Sequence, residues 1–346
     1  MPVNETFAQY SDFAFKSAFV IYVLAELLML GSYASVRTKA IAAKDRAREL
    51  VNSGAAGAED AGTDEDRASG TAVGTVDGPS DDAVSGARGS DRPLFERLAN
   101  MGFSLLILGF VLHAAAMVLR AMAVERMPLG NMYEFVSMAC LVGVGVGLFS
   151  LRKQDQRPLL AFVLVPVIIL MFVAGTVLYA TAAPVVPALQ SYWLPIHVTI
   201  ICIGSGIFLV SGVASMLFLY RIRFAKGEEP DTVFGRFAAK LPNAQYLDRL
   251  AYKTVVFGFP IFGVGVICGA IWAEAAWGRF WGWDPKETVS FIAWIVYAAY
   301  LHARATAGWR DTKAAWVNVA GFVAMLFNLF IINMVVSGLH SYAGLS

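Results

Sequence analysis

Eight long apolar stretches limit what this chain can become: about Phe13 to Ser35, Met101 to Val124, Met132 to Ser150, Leu159 to Ala180, Leu194 to Tyr220, Thr254 to Ala273, Thr288 to Arg304 and Ala314 to Ser337. A bilayer core of about 30 Å is crossed by about 20 helical residues. Inside it every backbone N–H and C=O must be satisfied within the segment, which leaves helices as the economical solution. The composition agrees, with 58% hydrophobic and 15% charged residues against about 45–50% and about 25% in a soluble domain. The chain reads as an all-α polytopic membrane protein with about eight transmembrane helices. Its net charge of +1 supplies no concentrated basic field, so no nucleic acid partner is expected.

Between the first two stretches, Arg37 to Arg97 opens as a charged helical run and then turns rich in Gly, Ala, Ser and Asp, too poor in apolar surface to offset chain entropy. This divides the chain into an N-terminal peripheral helix (1–36), a charged and disordered cytoplasmic linker (37–98) and a seven-helix core (99–346). The first stretch lacks a basic leader and a cleavage site, so it reads as a retained span. Lys and Arg concentrate after stretches one, three, five and seven, as in Arg152, Lys153 and Arg157 or Arg221, Arg223 and Lys226. These segments are the cytoplasmic ones by charge bias, which places both termini outside the cytoplasm.

The loop before the seventh stretch, within about 272–288, contains W-G-R-F-W-G-W-D-P-K-E-T from Trp277 to Thr288. Trp at a membrane surface ordinarily forms an aromatic belt. Here Trp277, Trp281 and Trp283 are joined by Gly278 and Gly282, which admit close backbone approach, and by Asp284-Pro285, which fixes a turn. Topology sorts the four His by depth. His197 and His340 flank the tryptophan loop on the outer side, while His113 is mid-span and His302 lies toward the inner end of the seventh stretch. Neutral imidazole ligates iron, and two from facing helices can grip a heme. Trp294, Ala298 and His302 share a helical face, and a flat ring stacks well on Trp. A lone intramembrane His otherwise hydrogen-bonds a neighbouring helix. Arg120 and Arg126 are placed by charge to meet propionates, and are also ordinary interface residues. Lys286 and Glu287 complement a helix start or contact propionates. Glu26 is an intramembrane carboxylate; Asn318, Asn328 and Asn333 read as interhelical hydrogen bonds. Cys140, Cys202 and Cys268 form no C-x-x-C pair and read as buried hydrophobes.

Together with Phe291 to Trp294, Tyr300 to Arg304, Gly308-Trp309-Arg310, Ser337 to Tyr342 and the run Pro128 to Glu134, this loop resembles the WWD-domain heme-handling proteins. The resemblance is closest to the CcsA/ResC-type subunit (CcsB in some bacteria) of the System II cytochrome c synthetase. It covers about Met101 to Ser346, and Val289 departs from the family's bulkier residue. It implies a bacterial cytoplasmic membrane protein that exports heme b and presents it outside, at the WWD site, for thioether attachment to the C-x-x-C-H of apocytochrome c. It also implies a CcsB/ResB partner, up to two heme sites (His197 and His340 outside, His113 and His302 within the membrane), and a holocytochrome c synthase subunit acting by positioning rather than by catalytic side chains. The alternatives are a heme carrier without ligation chemistry and a diheme b-type electron carrier; a solute transporter lacks the repeats it would need.

Overall fold

The computed structural model describes residues 3–56, 94–153, 156–184, 190–224, 227, 229–230, 232–239, 241–336 and 338–340. Among these the helices are α1 (Glu5–Ala56), α2 (Leu94–Val124), α3 (Met132–Ser150), α4 (Leu160–Thr176), α5 (Trp193–Arg221), α6 (Val233–Ala239), α7 (Ala244–Trp277), α8 (Pro285–Ala305) and α9 (Thr312–Met334), with one 3-10 turn at Arg157–Leu159 and no strand. Six helices, α1, α2, α3, α5, α7 and α9, are long and apolar enough to cross a membrane. Of the other two apolar stretches, α4 has 17 residues and α8, with 21, is more polar. α1 runs on through the charged segment to Ala56. The Gly- and Asp-rich middle of the linker, residues 57–93, lies outside the described residues.

α1 and α2 are antiparallel neighbours, because the Asn4 amide at the start of α1 donates to the Ala123 carbonyl at the end of α2 (2.9 Å). At heptad spacing Phe15, Tyr22 and Met29 carry α1 into the common core. α1 therefore shares that core and does not stand apart from it.

α5 is the central helix. Of its apolar window 67% is buried, against 33% for α2, α7 and α9. Lipid offers little hydrophobic drive between helices, so packing and buried polar pairs set the arrangement. Asn318 on α9 donates to Ser211 Oγ (2.8 Å) and Ser215 Oγ (2.7 Å) on α5. Ser211 Oγ in turn donates to the Ala251 carbonyl of α7 (3.0 Å). Asn328 donates to Ser290 Oγ (2.7 Å), joining α9 to α8. Phe208 of α5 stacks on Tyr297 of α8 at 3.6 Å.

The helix directions sort the two ends of the bundle. At one end, Arg304 near the close of α8 meets Asp248 near the start of α7 (2.7 Å). At the other, the starts of α3, α5 and α8, the end of α7 and residues 338–340 converge.

Candidate functional site

The tryptophan loop is built by its two helix ends. α7 stops at Gly278, whose φ of +71° is a left-handed C-cap that favours glycine. α8 starts on a capping box: Asp284 is the N-cap, Pro285 takes the first turn, and Glu287 reaches back to accept the Asp284 amide (3.1 Å). The same Glu287 oxygen accepts the Gly282 amide (2.9 Å), and Arg279 pairs with its carboxylate (3.5 Å). The loop is thus folded back on the first turn of α8.

Two imidazoles face the cavity beside this loop. His197 Nδ1 bonds the Gly265 carbonyl of α7 at 2.8 Å. A carbonyl only accepts, so Nδ1 carries the proton and the lone pair belongs to Nε2. The ring lies parallel to Trp272 (6.0 Å, 11°) and presses on Gly269, where a Cβ would sit 2.6 Å from His197 Cε1. Across the same Trp272, at 5.8 Å and 64°, stands His340. Its Nδ1 donates to Asp284 Oδ2 (2.7 Å), which again assigns the lone pair to Nε2. Asp284 Oδ1 accepts the Leu339 amide (2.8 Å).

The electrostatics fit this tautomer. Burial pushes the Asp284 carboxyl upward, but hydrogen bonds from His340, Leu339 and Lys286 outweigh it and hold the group at about 2. Burial lowers His340 below its ordinary value, and Asp284 opposes this only in part. At neutral pH the pair is a carboxylate and a neutral imidazole, the arrangement that orients metal-binding histidines.

The cavity, about 1420 Å³ including its open mouth, runs from these imidazoles between α3, α5, α7, α8 and α9. Trp272, Trp277 and Trp281 line it. Trp277 stands edge-on to His340 at 5.1 Å, and Trp281 is perpendicular to Trp283 at 5.8 Å. Trp283 itself has φ +57° and is 67% exposed. Trp294 does not line the cavity: it stacks on Phe259 (4.9 Å) and donates to its carbonyl (3.3 Å), fastening α8 to α7.

The remaining candidates lie elsewhere. Arg120 Nε and Arg126 Nη1 both contact Glu134, at 3.0 and 2.9 Å, and Glu134 also accepts the Gly130 amide (2.8 Å). Neither arginine lines the cavity. Their carboxylate comes from the Pro128 to Glu134 run, where Asn131 caps α3. His113 is fully buried, with Nε2 2.9 Å from Ser137 Oγ and Nδ1 3.4 Å from Tyr22 Oη. His302 is exposed on α8. The structure brings His197 and His340 to one cavity and does not bring His113 and His302 together.

Two participants were not singled out by sequence as site residues. Trp272 sits within the apolar run of α7, and only its five-residue offset from Trp277 marks it. Gly269 has no signal apart from its own smallness. Lys286, read from sequence as a helix-start residue or a propionate contact, donates its ammonium to Asn333 Oδ1 and lines the cavity.

Helices of spanning length around a tryptophan-walled cavity define a multi-pass membrane protein. Residues 129–340, from the Glu134 loop to His340, match the family model described as Cytochrome C assembly protein. The Cytochrome c biogenesis protein CcsA of Guillardia theta is 31% identical over 271 residues, 73% of this chain and 90% of that protein. That of Prochlorococcus marinus (strain NATL2A) is 34% identical over 288 residues, 75% and 87% of the two chains. The chain belongs to the cytochrome c assembly family, and its likeness there is to CcsA-type cytochrome c biogenesis proteins. Among solved structures it resembles Cytochrome c Heme Lyase CcmF, with a TM-score of 0.60 and 15% identity, over 100% of this chain and 50% of that one. It therefore spans half the length of that protein, and the likeness is one of fold.

Proposed function

We propose that this chain presents heme b, as cargo, for attachment to apocytochrome c, with His197 and His340 as the iron ligands. The observation that carries the reading is the pair of Nδ1-anchored imidazoles on one cavity, backed by Trp272 and Trp277. Two neutral imidazoles with Nε2 lone pairs form a donor set suited to heme iron, and the indole walls suit a flat macrocycle. When bound, the heme supplies an iron that takes imidazole ligands and vinyl groups to which cysteine thiols add. The chain's residues do the rest by position: Asp284 and the Gly265 carbonyl hold the two rings, and the tryptophans cover the macrocycle.

On this reading the cavity end of the bundle faces away from the cytoplasm in a bacterial cytoplasmic membrane. A CcsB/ResB-type subunit is the partner, and C-x-x-C-H apocytochromes are the substrates. A second heme between His113 and His302 would require Ser137 and Tyr22 to release the His113 nitrogens and an exposed histidine of α8 to reach a buried one of α2. Heme export is accordingly assigned first to the outer site.

The test is the absorption spectrum of the purified protein, oxidised and reduced, with His197→Ala, His340→Ala, His113→Ala and His302→Ala. A six-coordinate b-type spectrum lost in the two outer variants and restored by imidazole supports the assignment; its retention in both rejects it. Coexpression with the partner and an apocytochrome then separates a synthetase, which leaves heme on the denatured peptide, from a carrier, which does not.

A further inference from the structure

Among the described residues Lys286 is a cation on the cavity wall that no carboxylate pairs directly, although the Asp284 charge acts on it from beyond ion-pair distance. At this end of the bundle Arg120 and Arg126 meet Glu134, and Arg279 meets Glu287. Among the described residues Lys286 has no carboxylate oxygen within 4.0 Å. Its sequence neighbours are committed: Asp284 to His340 and the Leu339 amide, Glu287 to two loop amides and Arg279. The partly buried ammonium donates to Asn333 Oδ1 and lies 5.8 Å from the Phe135 ring centroid. Of three donors that uses one. Lys286, Asn333 and Phe135 line the same cavity as His197 and His340.

A cation against an aromatic wall in a partly desolvated cavity is costly without an anion, so the cavity is shaped for a ligand that carries one. Two axial imidazoles also leave a macrocycle free to turn about the line joining them. An anchor at its rim removes that freedom. We propose that Lys286 receives a propionate carboxylate of the bound heme and thereby sets the rotation of the ring, and hence which edge is offered to the incoming thiols. This makes Lys286 a positioning residue, and it rests on the outer heme site proposed above.

The test titrates detergent-purified protein with iron protoporphyrin IX and with its dimethyl ester, for wild type, Lys286→Gln and Lys286→Arg. Comparing proteins within each ligand cancels the ester's partition into detergent. Lys286→Gln is expected to weaken the diacid about tenfold, as loss of a charge-assisted hydrogen bond does. The diester should be unaffected, and Lys286→Arg should restore diacid binding. Equal weakening of both ligands, or of neither, overturns the proposal. Should Lys286→Gln fail to fold, Lys286→Arg and wild type decide: equal diacid-to-ester ratios for the two cations support it, and loss of the ratio in Lys286→Arg with an intact six-coordinate spectrum overturns it. If wild type gives no six-coordinate spectrum with either ligand, the heme site itself fails, which is a distinct result.

Discussion

The carboxylate of Asp284 is shared between two tasks, capping α8 and holding His340, whose Nδ1 lies 2.7 Å from Oδ2 across 56 residues of chain. A turn residue thereby becomes the orienting partner of a proposed iron ligand. Asp284→Asn keeps the shape and removes the charge. Heme affinity should fall about 10- to 100-fold, the usual cost of losing such a partner. His340→Ala should add little more in the double variant, which spectral titration of the three proteins would show.

Acid should release the His340 segment in two stages. His340 is depressed below 6.5 by burial and Asp284 is depressed from 3.8 to about 2. In both cases the folded state resists protonation, so each contribution is complete above the group's unfolded value and is lost as pH falls through its folded value. The bis-imidazole spectrum should survive below pH 6.5. A titration in which it disappears at or above that pH would contradict the assignment.

Gly269→Ala places a methyl group where His197 Cε1 now lies, 2.6 Å from the new Cβ. The ring must leave its position between Trp272 and the Gly265 carbonyl. Since ligands need placement within about 0.5 Å, heme binding should fall about tenfold or more. Helix content by circular dichroism should be unchanged, whereas a purely structural glycine would lower both together.

Glu134 is fully buried between Arg120 and Arg126. Glu134→Gln takes the carboxylate from Arg126 and leaves Arg120 only Asp12, at 3.6 Å, and should cost about 3 kcal/mol of stability. Thermal unfolding in detergent measures this. Because neither arginine lines the cavity, the heme affinity of the surviving folded protein should change much less than in Asp284→Asn.

The helical, membrane-spanning character of the chain was legible because length and apolarity in lipid leave the backbone few choices. So was the gathering of His197, the tryptophan loop and His340 at one end, since that follows from alternating helix directions. Pairings across the chain were not legible. Asp284 reads locally as half of an Asp-Pro turn, and nothing in its neighbourhood marks a bond to His340. Arg120 and Arg126 sit at the right depth to meet a propionate, yet a carboxylate from the next helix reaches them first. Trp294 shares a helical face with His302, but α7 packs on that face and takes the indole for itself.

Because His340 follows all nine helices described, Asp284 is made and capped onto α8 well before its imidazole exists. During synthesis the bundle can therefore be assembled with His197 in place and the opposite proposed ligand missing. On the proposed reading the cavity gains its second grip only when His340 reaches Asp284 from beyond α9, so a chain interrupted before that residue would insert and pack and still be unable to clamp heme.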